Sequence, residues 1–226
     1  MTWSFGTLAV VGVWATIAGL DLVSVLQVLL SRPLVAGSVA GWLLGDVDSG
    51  LRIGAALELF ALDVVPVGSS RYPDFGAATV GAVLYGAGTD WTATLGASVG
   101  IGIMLAILGG ATLPATRRLN ARIVRGYAVR LAEGDPRAVR AVHLAGLTHD
   151  LVRSAMLGLG AVGVALLARR WLAWPAPMLG QLLTAVALAG GAWAVGHGAA
   201  ASARTGPRWR WAIAGLAIGL ILVGRP

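Results

Sequence analysis

Long apolar runs separated by short polar breaks extend along the whole chain of 226 residues. The longest runs cover residues 8–20, 93–113, 154–168 and 212–223. A membrane-spanning helix needs about 20 mainly apolar residues, so a chain of this length accommodates about six to eight membrane elements. The pattern therefore predicts an all-α polytopic membrane protein, and its first run is expected to be a retained span because no basic segment precedes it.

The region after the first span, 5–30, has a different pattern. Ser31-Arg32-Pro33 ends this span, because proline cannot continue a helix. Two short apolar pieces follow, 34–44 and 53–65, and the polar stretch 45–52 joins them. Each piece is too short to cross a membrane, so the sequence predicts a re-entrant helical hairpin over residues 34–65. Such a hairpin needs surrounding protein or a water-filled cavity at membrane depth.

Charge is scarce and unevenly distributed. Only 12% of residues are charged, and all 17 basic residues are arginine. Seven of them fall in the polar connection 116–141, which the positive-inside rule places in the cytoplasm, where we also expect an amphipathic surface helix. The connection divides the chain into an N-terminal membrane half, 1–115, and a C-terminal membrane half, 142–226. This placement argues against nucleic-acid binding, and the lack of cysteine excludes disulfides and thiolate catalysis.

Glycine spacing marks the predicted hairpin. Gly37 and Gly41 recur four residues apart, as do Gly50 and Gly54, a spacing that lets helix backbones approach closely. Glu58 follows on the face of Gly50 and Gly54. A carboxylate at membrane depth costs about 2.5 kcal/mol or more, so Glu58 is expected to face protein or a water-filled cavity.

Two other acids follow in the chain. Asp63 lies about 140° around the helix from Glu58 and is a candidate ion-pair partner of Arg71 or Arg52. Asp74 follows a break and could return toward Glu58. Carboxylates suit hydroxyl-rich solutes because each oxygen accepts hydrogen bonds, although Glu58 and Asp74 could equally form a proton relay.

The histidines and their neighbours suggest no catalytic or metal site. His149, Asp150 and Arg153 cluster at the start of a predicted span, where an interfacial polar collar is the simplest interpretation. With three histidines and no cysteine in the chain, we expect no metal site and no cofactor. None of the histidines has the setting of a phosphoryl acceptor.

Several short motifs together resemble a known transporter family, the IIC subunit of the mannose/fructose/sorbose phosphotransferase systems. The strongest similarity covers residues 21–79, and a weaker similarity continues to about residue 210. The motifs are SRPLVAG at 31–37, GWLLGD at 41–46, Gly50-Leu51, Gly54-Ala55, Leu57-Glu58-Leu59, Pro66-Val67-Gly68 and Pro73-Asp74.

The resemblance implies a sugar-translocating subunit of the bacterial cytoplasmic (inner) membrane. Such a subunit pairs with a IID membrane protein, forms trimers of IIC–IID pairs and is served by cytoplasmic IIA and IIB phosphocarriers. Phosphoryl transfer resides on those partners, so the chain itself is not expected to be an enzyme. The family's acid positions fall on Glu58 and Asp74, its polar stretch contains Gln27, and Asp63 completes the candidate substrate-binding set.

Three positions depart from the family pattern, so the family does not identify which sugar is bound. They are Asp63, Pro66 and Arg71. The chain also ends at Pro226, where many family members continue with another span. Two other functions are alternatives to the one that the family resemblance implies. One is a proton-coupled solute transporter that uses the same acids, and the other is a non-transporting membrane assembly or regulatory subunit.

Overall fold

The computed structural model describes residues 3–25, 27–62, 64, 71–172 and 177–202, and every regular element in that part of the chain is an α-helix. The all-α prediction is therefore confirmed. Asp63, Pro66 and the predicted last span at 211–223 lie outside the described residues. The helices are α1 (Phe5–Asp21), α2 (Pro33–Leu44), α3 (Val47–Ala61), α4 (Phe75–Gly86), α5 (Trp91–Gly126), α6 (Ala128–Ala132), α7 (Pro136–Trp171) and α8 (Pro177–Ser202).

In the described part of the chain, three helices are long and apolar enough to cross a membrane. They are α5, α7 and α8, whereas α1, α2 and α4 are shorter apolar helices. The shortest membrane elements can persist because neighbouring helices surround them. In α4 all twelve residues are buried, and this helix packs against α1, α2, α3, α5 and α7. The helix α4 is therefore the centre of the bundle.

The predicted helical hairpin is present as the pair α2 and α3. The polar stretch 45–52 was expected to join the two helices, but most of it belongs to α3, which begins at Val47. Gly45 reverses the chain with a φ of 76°, a left-handed conformation that glycine adopts without steric cost. The carboxylate of Asp46 then accepts a hydrogen bond of 3.1 Å from the Ser49 amide and caps α3. A Cβ on Gly37 would lie 2.7 Å from the Gly50 carbonyl oxygen and 2.9 Å from the Gly54 Cα. The glycine face thus brings two backbones into contact.

The first helix ends earlier than the sequence suggests. A span reaching residue 30 was wrong, because α1 ends at Asp21. The buried Asp21 carboxylate accepts hydrogen bonds from the Val28 amide at 2.7 Å and from the Ser31 amide at 2.9 Å. These bonds fold the segment between Asp21 and Ser31 back onto the helix end, so apolar residues at 22–30 do not extend it.

The arginine-rich connection is more helical than expected. Both α5 and α7 have 36 residues and extend well into it, and five of the nine residues between them form α6. Asp135 starts α7 by accepting a hydrogen bond of 2.8 Å from the Arg137 amide. This bond and the bond from the Arg130 side chain both lower the pKa of Asp135. The division of the chain at residues 115 and 141 stays a prediction, since both positions lie within continuous helices.

The glycine contact in the hairpin gives a direct stability test. Gly37→Ala forces α2 away from the backbone of α3, so we expect it to lower the free energy of unfolding in detergent by about 1–3 kcal/mol. Gly100→Ala is the matched control, because no heavy atom lies within 4 Å of a Cβ at that helical glycine. Equal thermal stability of the two variants would contradict the close packing of the hairpin.

Candidate functional site

A cavity of about 610 Å³ opens where five parts of the chain meet. Its wall is formed by the loop after α1, the end of α3, the segment before α4, and the helices α5 and α7. This volume lies within the usual range for small-molecule sites. The polar residues of the wall are Asp21, Gln27, Ser31, Arg32, Tyr72, Thr116, Arg117, Asn120 and Asp150.

Glu58 holds one of these wall residues in place. The Arg32 Nε donates a hydrogen bond of 2.7 Å to Glu58 Oε1, and Arg32 Nη2 bonds the same oxygen. The Leu34 amide donates to Glu58 Oε2 at 3.1 Å, so the carboxylate also lies at the N-terminus of α2, where the helix dipole favours negative charge. The Glu58 side chain is 18% exposed. Glu58 therefore ties α3 to the start of α2 and fixes the arginine that lines the cavity.

Asp74 lies behind the cavity in a buried ion pair. Its Oδ2 accepts a hydrogen bond of 2.7 Å from Arg153 Nη2, and the two side chains are only 1% and 5% exposed. The same guanidinium donates to the Thr112 hydroxyl at 2.7 Å and to the Gly109 carbonyl at 3.0 Å. Asp74 and Arg153 thus join α4, α5 and α7.

The two candidate acids are held by different arginines. We expected Asp74 to return toward Glu58, but Asp74 pairs with Arg153 whereas Glu58 pairs with Arg32. Assigning Arg153 to an interfacial collar was also wrong, since its side chain is buried. The sequence contained one signal for a buried partner, since an arginine that starts an apolar run requires an acid inside the protein, but this signal does not identify the acid.

Asp74 still shapes the main cavity through its neighbours. Tyr72, Pro73 and Phe75 all line that cavity, and the Asp74 amide donates a hydrogen bond of 2.9 Å to the Ala106 carbonyl. The Asp74 residue itself lines a smaller cavity of about 190 Å³ between α4, α5 and α7. The ion pair with Arg153 therefore anchors one wall of the central cavity.

The loop that carries Gln27 has an unusual backbone. Gln27 and Leu29 have φ values of 50° and 71°, in the left-handed region that residues with a side chain rarely adopt. Each such residue costs about 1–3 kcal/mol and persists only where surrounding contacts hold it. Here the buried Asp21 carboxylate bonds residues on the C-terminal side of this stretch. The loop thus places Gln27 in the cavity wall.

A further polar contact joins α5 and α7 beside the cavity. His149 Nδ1 and Asn120 Oδ1 lie 2.6 Å apart, and Asn120 lines the cavity beside Arg117. The Arg117 guanidinium lies 5.7 Å from the centre of the Tyr72 ring, within the range of a cation–π interaction. Sequence inspection did not single out Asn120 or Tyr72, since neither belongs to a motif.

The buried ion pair allows a second stability test. Arg153→Met leaves the buried Asp74 carboxylate without its charge partner, so we expect a loss of about 3–5 kcal/mol in unfolding free energy. Asp48→Asn provides a control, because it disrupts the exposed pair with Arg52 and should cost at most about 1 kcal/mol. Denaturant unfolding in detergent measures both, and similar losses would show that the Asp74–Arg153 pair contributes little.

The chain is similar to proteins of one known family. The family described as "PTS system sorbose-specific IIC component" matches residues 5–198. The mannose-specific EIIC component of Escherichia coli K12 is 29% identical over 126 residues, 55% of this chain and 46% of the relative. The sorbose-specific EIIC component of Klebsiella pneumoniae is 38% identical over 77 residues, 34% of this chain and 26% of the relative. The matched region thus spans about half of the mannose-specific relative and about a quarter of the sorbose-specific relative.

A solved structure has the same fold. The cryo-EM structure of the mannose transporter ManYZ with microcin E492 contains a chain that is 21% identical to this one, with a TM-score of 0.61. The similarity covers 100% of this chain and 98% of that chain. The family model extends over most of the sequence, so the resemblance noted from the motifs is confirmed. The chain is a multi-pass protein of the bacterial cytoplasmic membrane, and it belongs to the sorbose-specific IIC component family of the phosphotransferase system.

Proposed function

We propose that this chain is the sugar-translocating subunit of a mannose-family phosphotransferase system, and that it works with a IID membrane subunit. IIA and IIB phosphocarriers would supply the phosphoryl group, and trimers of IIC–IID pairs would be the working assembly. One observation carries the proposal: a cavity of about 610 Å³ has polar residues in its wall, among them Arg32, the arginine that Glu58 holds in place.

The wall of the cavity has the chemistry that a sugar requires. Arg32 offers N–H donors, and the Gln27 amide offers both donors and an acceptor to sugar hydroxyls. Glu58 keeps acceptor capacity beyond its bonds to Arg32 and Leu34, because each carboxylate oxygen has two lone pairs. We propose Glu58 as the acid that contacts the sugar when the cavity rearranges.

The remaining members of the candidate set have separate proposed roles. Asp74 would hold the wall formed by its neighbours Tyr72 and Phe75, and through that wall it would act on the sugar. Asp63, which lies outside the described residues, stays a proposed substrate contact because of its place in the sequence close after Glu58.

The arrangement of the walls supports a moving-domain mechanism. One wall comes from the hairpin side, with Arg32 before α2 and Ala61 at the end of α3. The opposite wall comes from α5 and α7, which Arg153 and His149 bind together. A sugar held between these walls would cross the membrane when the hairpin-bearing part moves against α5 and α7. Phosphoryl transfer would take place on partner subunits.

The proposed role of Glu58 can be tested by transport. Glu58→Gln removes the charge that fixes Arg32, so we expect uptake of the sugar to fall at least about tenfold in the complete IIA–IIB–IIC–IID complex. Asp48→Asn is the matched control, because it removes a carboxylate from the same hairpin at an exposed position. The assay measures phosphoenolpyruvate-dependent uptake of radiolabelled mannose, fructose and sorbose in vesicles.

Two results would contradict the proposal in different ways. Unchanged uptake in Glu58→Gln would remove Glu58 from the transport site. Uptake that needs an imposed proton gradient and no phosphoenolpyruvate would make the chain a secondary transporter instead.

A further inference from the structure

Two helices continue together beyond the membrane. The uncharged stretch of α5 at residues 93–113 is about 31 Å long, which matches a hydrocarbon core of about 30 Å. The helix then continues to Gly126 for about another 20 Å. His149 of α7 contacts Asn120 of α5, and residues from 123–124 and 142–147 line one small cavity, so the first turns of α7 run beside this extension. We call residues 114–148 the basic hairpin.

The basic hairpin carries charge that it does not neutralise. It contains seven arginines and two acids, Glu133 and Asp135, a formal net charge of +5. Arg130 pairs with Asp135. Five exposed arginines form no ion pair with any residue in the described part of the chain: Arg118, Arg122, Arg125, Arg137 and Arg140.

The unpaired arginines lie in helical rows. Arg118, Arg122 and Arg125 are four and three residues apart, so they share one face of α5. Like charges at this spacing repel, and folding alone does not favour them. Exposed apolar side chains lie among them, including Val124 and Val129, which are 44% and 72% exposed. Arginine beside exposed apolar surface is a combination typical of protein interfaces.

The outer arginines of the α5 row, Arg122 and Arg125, lie farther along the helix from the lipid headgroups than Arg117 and Arg118 do. The headgroup layer adds about 5–8 Å on each side of the hydrocarbon core. Measured along α5, which contains Pro114, Arg125 lies about 18 Å beyond Leu113. Arg117 and Arg118 therefore lie nearest the anionic headgroups, and Arg122 and Arg125 lie farther toward the aqueous phase.

The base of the basic hairpin is part of the candidate sugar site. Thr116, Arg117 and Asn120 line the central cavity, and they lie on the same helix as the outer arginine row. A protein bound to that row would therefore lie next to the cavity. This proximity favours a partner that must reach the sugar.

We infer that the outer arginines of the basic hairpin form the docking surface for an acidic face of the soluble phosphoryl-carrying partner. The inference rests on the proposed function, which requires such a partner. It adds the surface, the sign of its charge and the residues that provide it.

Charge reversal tests the docking surface. Arg122→Glu/Arg125→Glu is compared with Arg170→Glu, which reverses an exposed, unpaired arginine near the opposite end of α7. The complete membrane complex is placed in nanodiscs of neutral lipid or of lipid with an anionic fraction, and binding of its purified IIB protein is measured in each at about 50 and about 300 mM salt. We expect the double variant to bind at least about tenfold more weakly at low salt and the control to bind within about twofold of wild type.

A positional test supports this measurement. The chain has no cysteine, so single cysteines can carry a photo-crosslinker. Ala121→Cys, on the exposed side of α5, should crosslink IIB, whereas Trp171→Cys, which is at an exposed position at the other end of α7, should not.

Three outcomes would overturn the inference or its basis. If the double variant binds IIB as tightly as wild type does, these arginines are not the docking surface, and the proposed function is unaffected. If IIB binds only when anionic lipid is present, and all variants lose this binding equally in neutral nanodiscs, the arginines interact with the membrane and not with IIB. A wild-type complex that fails to bind IIB in either lipid would contradict the proposed function itself.

Discussion

The cost of placing charge inside an apolar helical bundle determines how this protein is built. An unpaired ion at membrane depth is unfavourable by several kcal/mol, so each buried acid needs a donor within reach. Glu58 meets this requirement with Arg32 and the Leu34 amide, and Asp74 meets it with Arg153. Both pairs connect separate helices. The requirement for neutralisation thus also positions the helices around the cavity.

Close backbone contact provides the second part of this arrangement. The glycines of α2 and α3 remove side chains from the helix interface, so the hairpin is compact enough to bring Glu58 to the N-terminus of α2. Asp21 has a comparable effect on the preceding loop, where it bonds Val28 and Ser31. Local packing therefore gives Arg32 and Gln27 their places in the cavity wall.

Patterns in the sequence were sufficient for the hairpin and for the class of fold. The four-residue glycine spacing and the position of Glu58 on the same face predicted a close-packed α2–α3 pair, and the structure contains it. Partner choice was not predictable, because Arg32 and Arg153 lie 26 and 79 residues from their acids. Turns between the helices bring each arginine to its acid, and no local repeat in the sequence predicts these contacts. The early end of α1 was missed for a similar reason, since Asp21 acts through residues seven and ten positions further on.

The central claim is that the sugar binds in the cavity beside Arg32 and Gln27. Sugar protection of a single introduced cysteine tests it most directly, because the chain has no cysteine of its own. Val64→Cys lies in the cavity wall, and Leu62→Cys, at a position that is 55% exposed, is the nearby reference. We predict that saturating transported sugar slows thiol modification at position 64 and leaves position 62 unchanged. Equal modification rates at position 64 with and without sugar would contradict the claim.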